Sequence, residues 1–256
     1  MSDLNAIAAQ VDDAARHATA ITQLSVSGHD IALQDAYTIQ ALSIDRRLAR
    51  GEQLVGVKMG FTSHAKMVQM GVDDLIWGRL TDAMEIPDGG SLDLSGYVHP
   101  RIEPEVAFRL KAPLSGKVSL QQAISAVEAI APAMEIIDSR YENFKFSLVD
   151  VVADNSSSSS FVIGPWQPPL EDISDVVMRL EFDGDAVQAG SSADILGNPY
   201  LSLVEAARLA GEAGMTLQAG WVVLAGAATA AEALRPGITA SVDAGILGSA
   251  SVHVTA

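Results

Sequence analysis

The chain has 256 residues, 48% of them hydrophobic, and no cysteine; it is long enough for one large core and has neither disulfides nor thiolate metal ligands. Asp and Glu number 32 against 16 Lys and Arg, a formal net charge of −16. Such a field repels phosphate backbones and anionic lipid, which argues against nucleic-acid and membrane binding, and no apolar run reaches the roughly 20 residues of a membrane span.

The first 20 residues carry Asp3, Asp12 and Asp13 and no basic segment ahead of an apolar core. They do not read as a secretory signal, so a cytoplasmic protein is expected. Residues 3–20 and 33–50 have helical spacing, the second with Tyr37, Ala41, Ile44 and Leu48 on one face and Gly51 as its stop. From residue 54 the pattern changes. "LVGVKMGFTS" reads as a strand, "HAKMVQMG" (64–71) as a short helix and "IPDGGSLDLSG" as a turn region.

"RIEPEVAFRL" (101–110) reads as a strand. Side chains two apart share a face, so Glu103 and Glu105 point one way and Ile102, Pro104, Val106 and Phe108 the other. Ser119 and Gln122 form a capping box for a helix to about Ile130, which Pro132 closes; "AMEIIDSR" follows as a strand. "DNSSSSS" (154–160) reads as a loop within the domain. "MRLEFDGDAVQAG" reads as strand–turn–strand about Asp183–Gly184, and 202–213 as a helix. "GWVVLAG", "GITASVDAG" and "GSASVHVTA" read as three closing strands. Helices lead and then recur singly among strands, without βαβ alternation. The expected class is α+β with a mixed, partly closed sheet and an N-terminal helical region.

Two carboxylates on one inward face repel each other, and burial worsens the repulsion. A hard divalent cation would relieve it: Mg²⁺ and Mn²⁺ take carboxylate oxygens, and Glu135 in "AMEIID" offers a third. A solvated strand face is the plainer reading of the Glu-x-Glu spacing, and a salt-bridge partner that of Glu135. Lys58 lies in an apolar strand between Gly56 and Gly60. It either snorkels to the surface or projects into a site. The serine run offers hydroxyls to an anion or is a plain polar loop. The five histidines are scattered without metal spacing, and no P-loop, Gly-x-Gly-x-x-Gly or Gly-x-Ser-x-Gly motif occurs.

Four stretches carry a resemblance: "VGVKMGFTSHAKMVQMGVDDLIWGRLTDAM", "YVHPRIEPEVAF", "AIAPAMEIIDSRYENFKFSLVDVVADNSSSSSFVIG" and "GWVVLAGAATAAEAL". From about residue 30 to the C-terminus the chain resembles the 2-keto-4-pentenoate hydratase/decarboxylase group of the fumarylacetoacetate hydrolase superfamily, and in detail its decarboxylase branch. The resemblance implies a β-roll-like sheet with flanking helices, here a helical region 1–52 ahead of a metal-binding unit 53–256. It implies Mg²⁺, or Mn²⁺, held by Glu103, Glu105 and Glu135, with Lys58 as the catalytic, substrate-binding lysine. Ser160 would hydrogen-bond a substrate carboxylate, and Ile76 and Trp77 would surround it with a less polar wall.

The implied reaction is decarboxylation of 2-oxo-hex-3-enedioate, a small dicarboxylate, to 2-hydroxypenta-2,4-dienoate. The branch also implies a homo-oligomer and a complex with the hydratase that consumes this product. Two positions depart from the group. In the hydratase branch an acid stands where Ile76 precedes Gly78, which favours the decarboxylase. Ile238 follows Gly237 where the superfamily has Gly-Asp, a difference that touches a turn. The alternatives are a hydratase using the same metal site, and a non-catalytic partner of such a hydratase.

Overall fold

A computed structural model describes residues 3–63, 67–68 and 74–256. Two helices lead, α1 (Leu4–Arg16) and α2 (Leu33–Ala49). Among the described residues, thirteen strands follow with three further complete α-helices between them, and two sheets form. The larger contains β1 (Leu54–Gly60), β2 (Ile76–Thr81), β3 (Glu85–Ile86), β5 (Arg101–Leu110), β6 (Val127–Ile137), β7 (Ser158–Ile163), β10 (Val222–Ala227) and β11 (Glu232–Ala233). Its order is β2-β1-β10-β5-β6-β7-β3, with β11 on β5. Strands β1 and β10 are parallel, as are β7 and β3; the other pairs are antiparallel. The smaller sheet runs β4 (Ser91–Asp93), β13 (Ser249–Thr255), β12 (Thr239–Asp243), β8 (Val177–Phe182) and β9 (Asp185–Ser191). The fold is α+β with a mixed sheet, as the strand and helix pattern predicts.

The larger sheet curls. Its edge strand β2 meets the segment ahead of β7: Asn155 Oδ1 accepts from Arg79 N at 2.8 Å, and Asn155 Nδ2 donates to Arg79 O at 2.8 Å. A side-chain amide thus completes the edge as a neighbouring strand would. Gly78 is required there, because a Cβ would lie 2.5 Å from Asn155 O.

Period-two alternation gives the larger sheet two faces. Val57, Met59, Trp77, Ile102, Val106, Phe108, Met134 and Ile136 face the main core. The smaller sheet covers them with Met178, Leu180, Ala240, Val242 and Val252, and α5 (Pro199–Glu212) with Tyr200 and Leu203. The opposite face carries Lys58, Glu103, Glu105 and Glu135 beside a cluster that includes Ala107, Ala131, Ala133, Phe161 and Leu224. Alanines at three of these positions leave room above the sheet.

Several elements differ from expectation. Helix α3 (Leu120–Ala126) ends four residues early, and β6 runs straight through Pro132. Pro132 is tolerated because its carbonyl, and so its missing N–H, faces Gly164, past the end of β7. On α2 the buried face is Ala36, Ile39, Gln40, Ser43 and Ile44, whereas Tyr37, Ala41 and Leu48 are only half-buried. Polar Gln40 goes inside because it is satisfied: Nε2 donates to Trp77 O and Val152 O, and Oε1 accepts from Arg79 Nη1. Only Ser156 and Ser157 among the five serines precede the strand; Ser158–Ser160 open β7. Apart from Met67 and Val68, the helix expected over 64–71 lies outside the described residues. The Asp183–Gly184 hairpin turn appears as read, both residues having positive φ. Among the described residues, no helix is long and apolar enough to cross a membrane.

Candidate active site

Strand β5 pairs Glu103 with Glu135 of β6, so both carboxylates leave the sheet side by side. Glu105 follows one strand repeat later on the same face. One carboxylate oxygen from each of the three lies within 4.8 Å of the others. Glu105 and Glu135 are fully buried. Lys58 reaches the cluster from β1, with Nζ 2.8 Å from Glu135 Oε2 and the side chain 3% exposed. It does not snorkel.

Glu105 is held by the backbone. The register between β10 and β5 shifts between Leu224 and Ala227, and this bulge aims Gly226 N–H at Glu105 Oε2, 2.7 Å away. Gly226 has φ +104°, and a Cβ there would collide with the Thr62 side chain. Only glycine fits. Sequence reasoning missed this donor; its one signal is the glycine in "VLAGAA".

The electrostatics are those of a cation site. Burial, then the charges of Glu135 and Glu103, push the Glu105 carboxyl well above the usual carboxylate range. Burial pulls the Lys58 ammonium down, but Glu135, Glu103 and Glu105 together hold it above its ordinary value. Three carboxylates and one ammonium carry a formal −2, the charge a divalent ion neutralises. Glu105 Oε1 and Glu135 Oε1 are buried with no hydrogen-bond partner among the described residues. Such atoms are costly unless paired. An all-oxygen donor set suits Mg²⁺ or Mn²⁺. The residues present therefore fit a hard divalent cation.

The cluster opens into a cleft of about 710 Å³. Lys58 and Glu103 lie on its floor, and Phe61, Ile76, Phe144, Phe146 and Val151 contribute apolar walls. Ser156 and Ser157 come from the segment ahead of β7. The Ser157 hydroxyl is buried and has no hydrogen-bond partner among the described residues.

Two expected residues are not brought to this cleft, for one reason. Trp77 pairs with Met59 across β1 and β2, one residue out of phase with Lys58. It faces the core and stacks on Tyr37. Ser160 pairs with Ile136, again one residue out of phase with Glu135. Its Oγ lies 2.6 Å from Tyr97 Oη, lining a separate cavity of about 290 Å³ behind the sheet. Ile76, in phase with Lys58, does line the cleft. Gly237 and Ile238 form the turn into β12, away from it.

A curled mixed sheet bearing buried carboxylates and a lysine on its open face defines a class of hard-cation site enzyme. The chain belongs to the fumarylacetoacetate hydrolase family: the family model for the fumarylacetoacetate (FAA) hydrolase C-terminal region matches residues 53–255. It is 54% identical over 253 residues to a 4-oxalocrotonate decarboxylase of Pseudomonas sp, covering 98% of each chain. It is 37% identical over 211 residues to a 2-keto-4-pentenoate hydratase of Paraburkholderia xenovorans (strain LB400), covering 81% of this chain and 78% of that one. A solved 4-oxalocrotonate decarboxylase from Pseudomonas putida G7, complexed with magnesium and adipate, superposes with TM-score 0.95 at 39% identity, covering 98% of this chain and 97% of that one.

Proposed function

We propose that the chain is a carboxy-lyase that removes CO₂ from 2-oxo-hex-3-enedioate (4-oxalocrotonate) to give 2-hydroxypenta-2,4-dienoate, a step of aromatic meta-cleavage catabolism. The observation that carries this reading is the buried Glu103–Glu105–Glu135–Lys58 cluster at the floor of a cleft whose wall beside Gly78 is apolar Ile76. The 54% identity to a decarboxylase of the same length supports it.

Glu103, Glu105 and Glu135 would hold Mg²⁺, with Mn²⁺ as the alternative. When bound, the cation supplies Lewis-acid stabilisation of the charge that grows on the C2 oxygen. Lys58 compensates the carboxylates and presents its ammonium to the anionic end of the substrate. Ser157 Oγ donates a hydrogen bond to a substrate carboxylate. The apolar walls leave the C6 carboxylate poorly solvated, which favours its loss as neutral CO₂. The C5–C6 bond breaks, its electron pair delocalises through C3 and C4 onto the C2 oxygen, and a proton on that oxygen completes the dienol. The cell-level part of the proposal is a cytoplasmic homo-oligomer that associates with the hydratase consuming the dienol.

Purified protein given each substrate separately, with and without Mg²⁺, tests the assignment. CO₂ release from the dioate, dependent on Mg²⁺, is the expected result. Efficient conversion of 2-hydroxypentadienoate to 4-hydroxy-2-oxopentanoate would install the hydratase reading. Turnover of neither substrate would favour the non-catalytic partner.

A further inference from the structure

Three consecutive residues with side chains, Asn155, Ser156 and Ser157, have φ of 49°, 52° and 60°. Left-handed backbone is unfavourable for such residues and persists only where the surroundings over-determine it. The Asn155 amide bonded to the Arg79 backbone and Ser156 Oγ donating to Trp77 O at 2.8 Å hold the turn from β2, and one buried side chain clamps the residues that flank it. Arg140, 4% exposed, donates from Nε to Asp154 Oδ1 at 2.5 Å and from Nη2 to Asp154 O at 2.9 Å. Its backbone N–H donates to Asp154 Oδ2 at 3.0 Å, and Nη1 donates to Ser159 Oγ at 2.5 Å. Arg140 therefore grips the residue before the turn and a residue just after it. Asp138 N–H also donates to Ser157 O at 2.8 Å. Arg140 and Ser159 line the smaller cavity behind the sheet, whereas Ser156 and Ser157 line the cleft. The turn is the wall between the two cavities, and Arg140 holds it from the side away from the cleft.

We propose that Arg140 is a positioning residue: it holds the Asn155–Ser157 turn so that the Ser157 hydroxyl meets a carboxylate of the bound dicarboxylate. This rests on the role of Ser157 given above. A lysine keeps the charge, but its ammonium cannot reproduce the planar fork that reaches Asp154 twice and Ser159 once.

The test is a double-mutant cycle on the full-length protein loaded with Mg²⁺, with adipate as the six-carbon dicarboxylate probe in calorimetric titration. Ser157→Ala should weaken adipate binding roughly tenfold, the scale of one hydrogen bond to a charged group. Arg140→Lys should weaken it comparably and raise KM for the dioate more than it lowers kcat, with Mg²⁺ affinity unchanged. In the Ser157→Ala background, Arg140→Lys should cost less than about twofold further. Multiplying effects in the double variant, or unchanged adipate affinity in Arg140→Lys, would overturn the inference alone. Should Arg140→Lys fail to fold, Ser159→Ala enters the same cycle, since it removes the Nη1 contact and a long donation from Ser159 Oγ to Ser157 O at 3.4 Å while leaving the bonds of Arg140 to Asp154. Its smaller loss should likewise vanish when Ser157 is absent, and additivity would again overturn the inference. Unchanged binding in Ser157→Ala would remove the serine's role and the inference with it. No adipate binding by the Mg²⁺-loaded wild type would refute the dicarboxylate reading itself.

Discussion

Replacing Glu105 by Gln removes one charge from a cluster in which burial and two neighbouring carboxylates already oppose ionisation. The Gly226 N–H keeps an acceptor, because an amide oxygen can stand where Oε2 stands. Glu105→Gln should therefore fold with unchanged or slightly higher stability without metal, yet lose Mg²⁺-dependent turnover. Thermal melting beside a CO₂ assay reads both; full turnover at low Mg²⁺ would remove Glu105 from the ligand set. Lys58→Met does the converse. It leaves buried carboxylates uncompensated and should cost the metal-free protein about 3 kcal/mol. Mg²⁺ should restore a larger share of stability in the variant than in the wild type, while turnover stays low. A urea titration with and without Mg²⁺ measures this, and equal Mg²⁺ gains in the two proteins would show that Lys58 does not compensate the cluster.

At the scale of elements, the β10 bulge is a device for one hydrogen bond. Gly226→Ala would force a side chain into Thr62 at a positive φ and withdraw the donor from Glu105. It should lower stability by about 1–3 kcal/mol and weaken Mg²⁺ binding together; a variant losing stability but not affinity would uncouple the bulge from the site. The helical pair answers to pH. Asp12 on α1 accepts from Arg46 and, bidentately, from Arg50 beside α2. Burial pushes the Asp12 carboxyl up, but Arg50 and Arg46 together hold it below the usual carboxylate range. A lowered carboxylate contributes stability above its unfolded value near 4 and loses it as pH falls through the folded value. Asp12→Asn should cost about 1–2 kcal/mol at neutral pH, discounted because both arginines are partly exposed. In urea titrations the gap to the wild type should close below pH 4; a constant gap would show that the ion pair is not its source.

The same elements show what the sequence carries and what it hides. Strand β5 was legible because period two separates Glu103 and Glu105 from Ile102, Val106 and Phe108 with no help from the rest of the chain. Lys58 and Glu135 were legible as unusual charges in apolar runs, and the resemblance brought them together. Trp77 and Ser160 were misplaced because an error of one position in phase reverses a face, and phase is fixed by pairing with β1 and β6. Gln40 was hidden because its three partners lie on β2 and α4 (Leu148–Ala153), far away in the chain. The end of α3 was misjudged because alanines and valines suit a buried strand as well as a helix. The Gly226 bulge and the left-handed serine turn are set by contacts more than 70 residues away in sequence.

Across the whole molecule, a net charge of −16 would repel a dianionic substrate. The fold answers locally. It places Lys58 on the cleft floor, and it gathers three carboxylates, of which Glu105 and Glu135 each bury an oxygen with no hydrogen-bond partner among the described residues, a set that calls for a divalent ion. The scaffold serves that gathering: the smaller sheet covers one face of the larger, and the first helices with α4 brace its β2 edge. The proposed chemistry depends on a cation sitting among Glu103, Glu105 and Glu135. Anomalous diffraction from crystals grown with Mn²⁺ and adipate locates that ion directly. One manganese peak per chain is expected, within ligand distance of all three carboxylates and beside the bound dicarboxylate. A manganese peak elsewhere, with this cluster empty in protein that still releases CO₂, would contradict it.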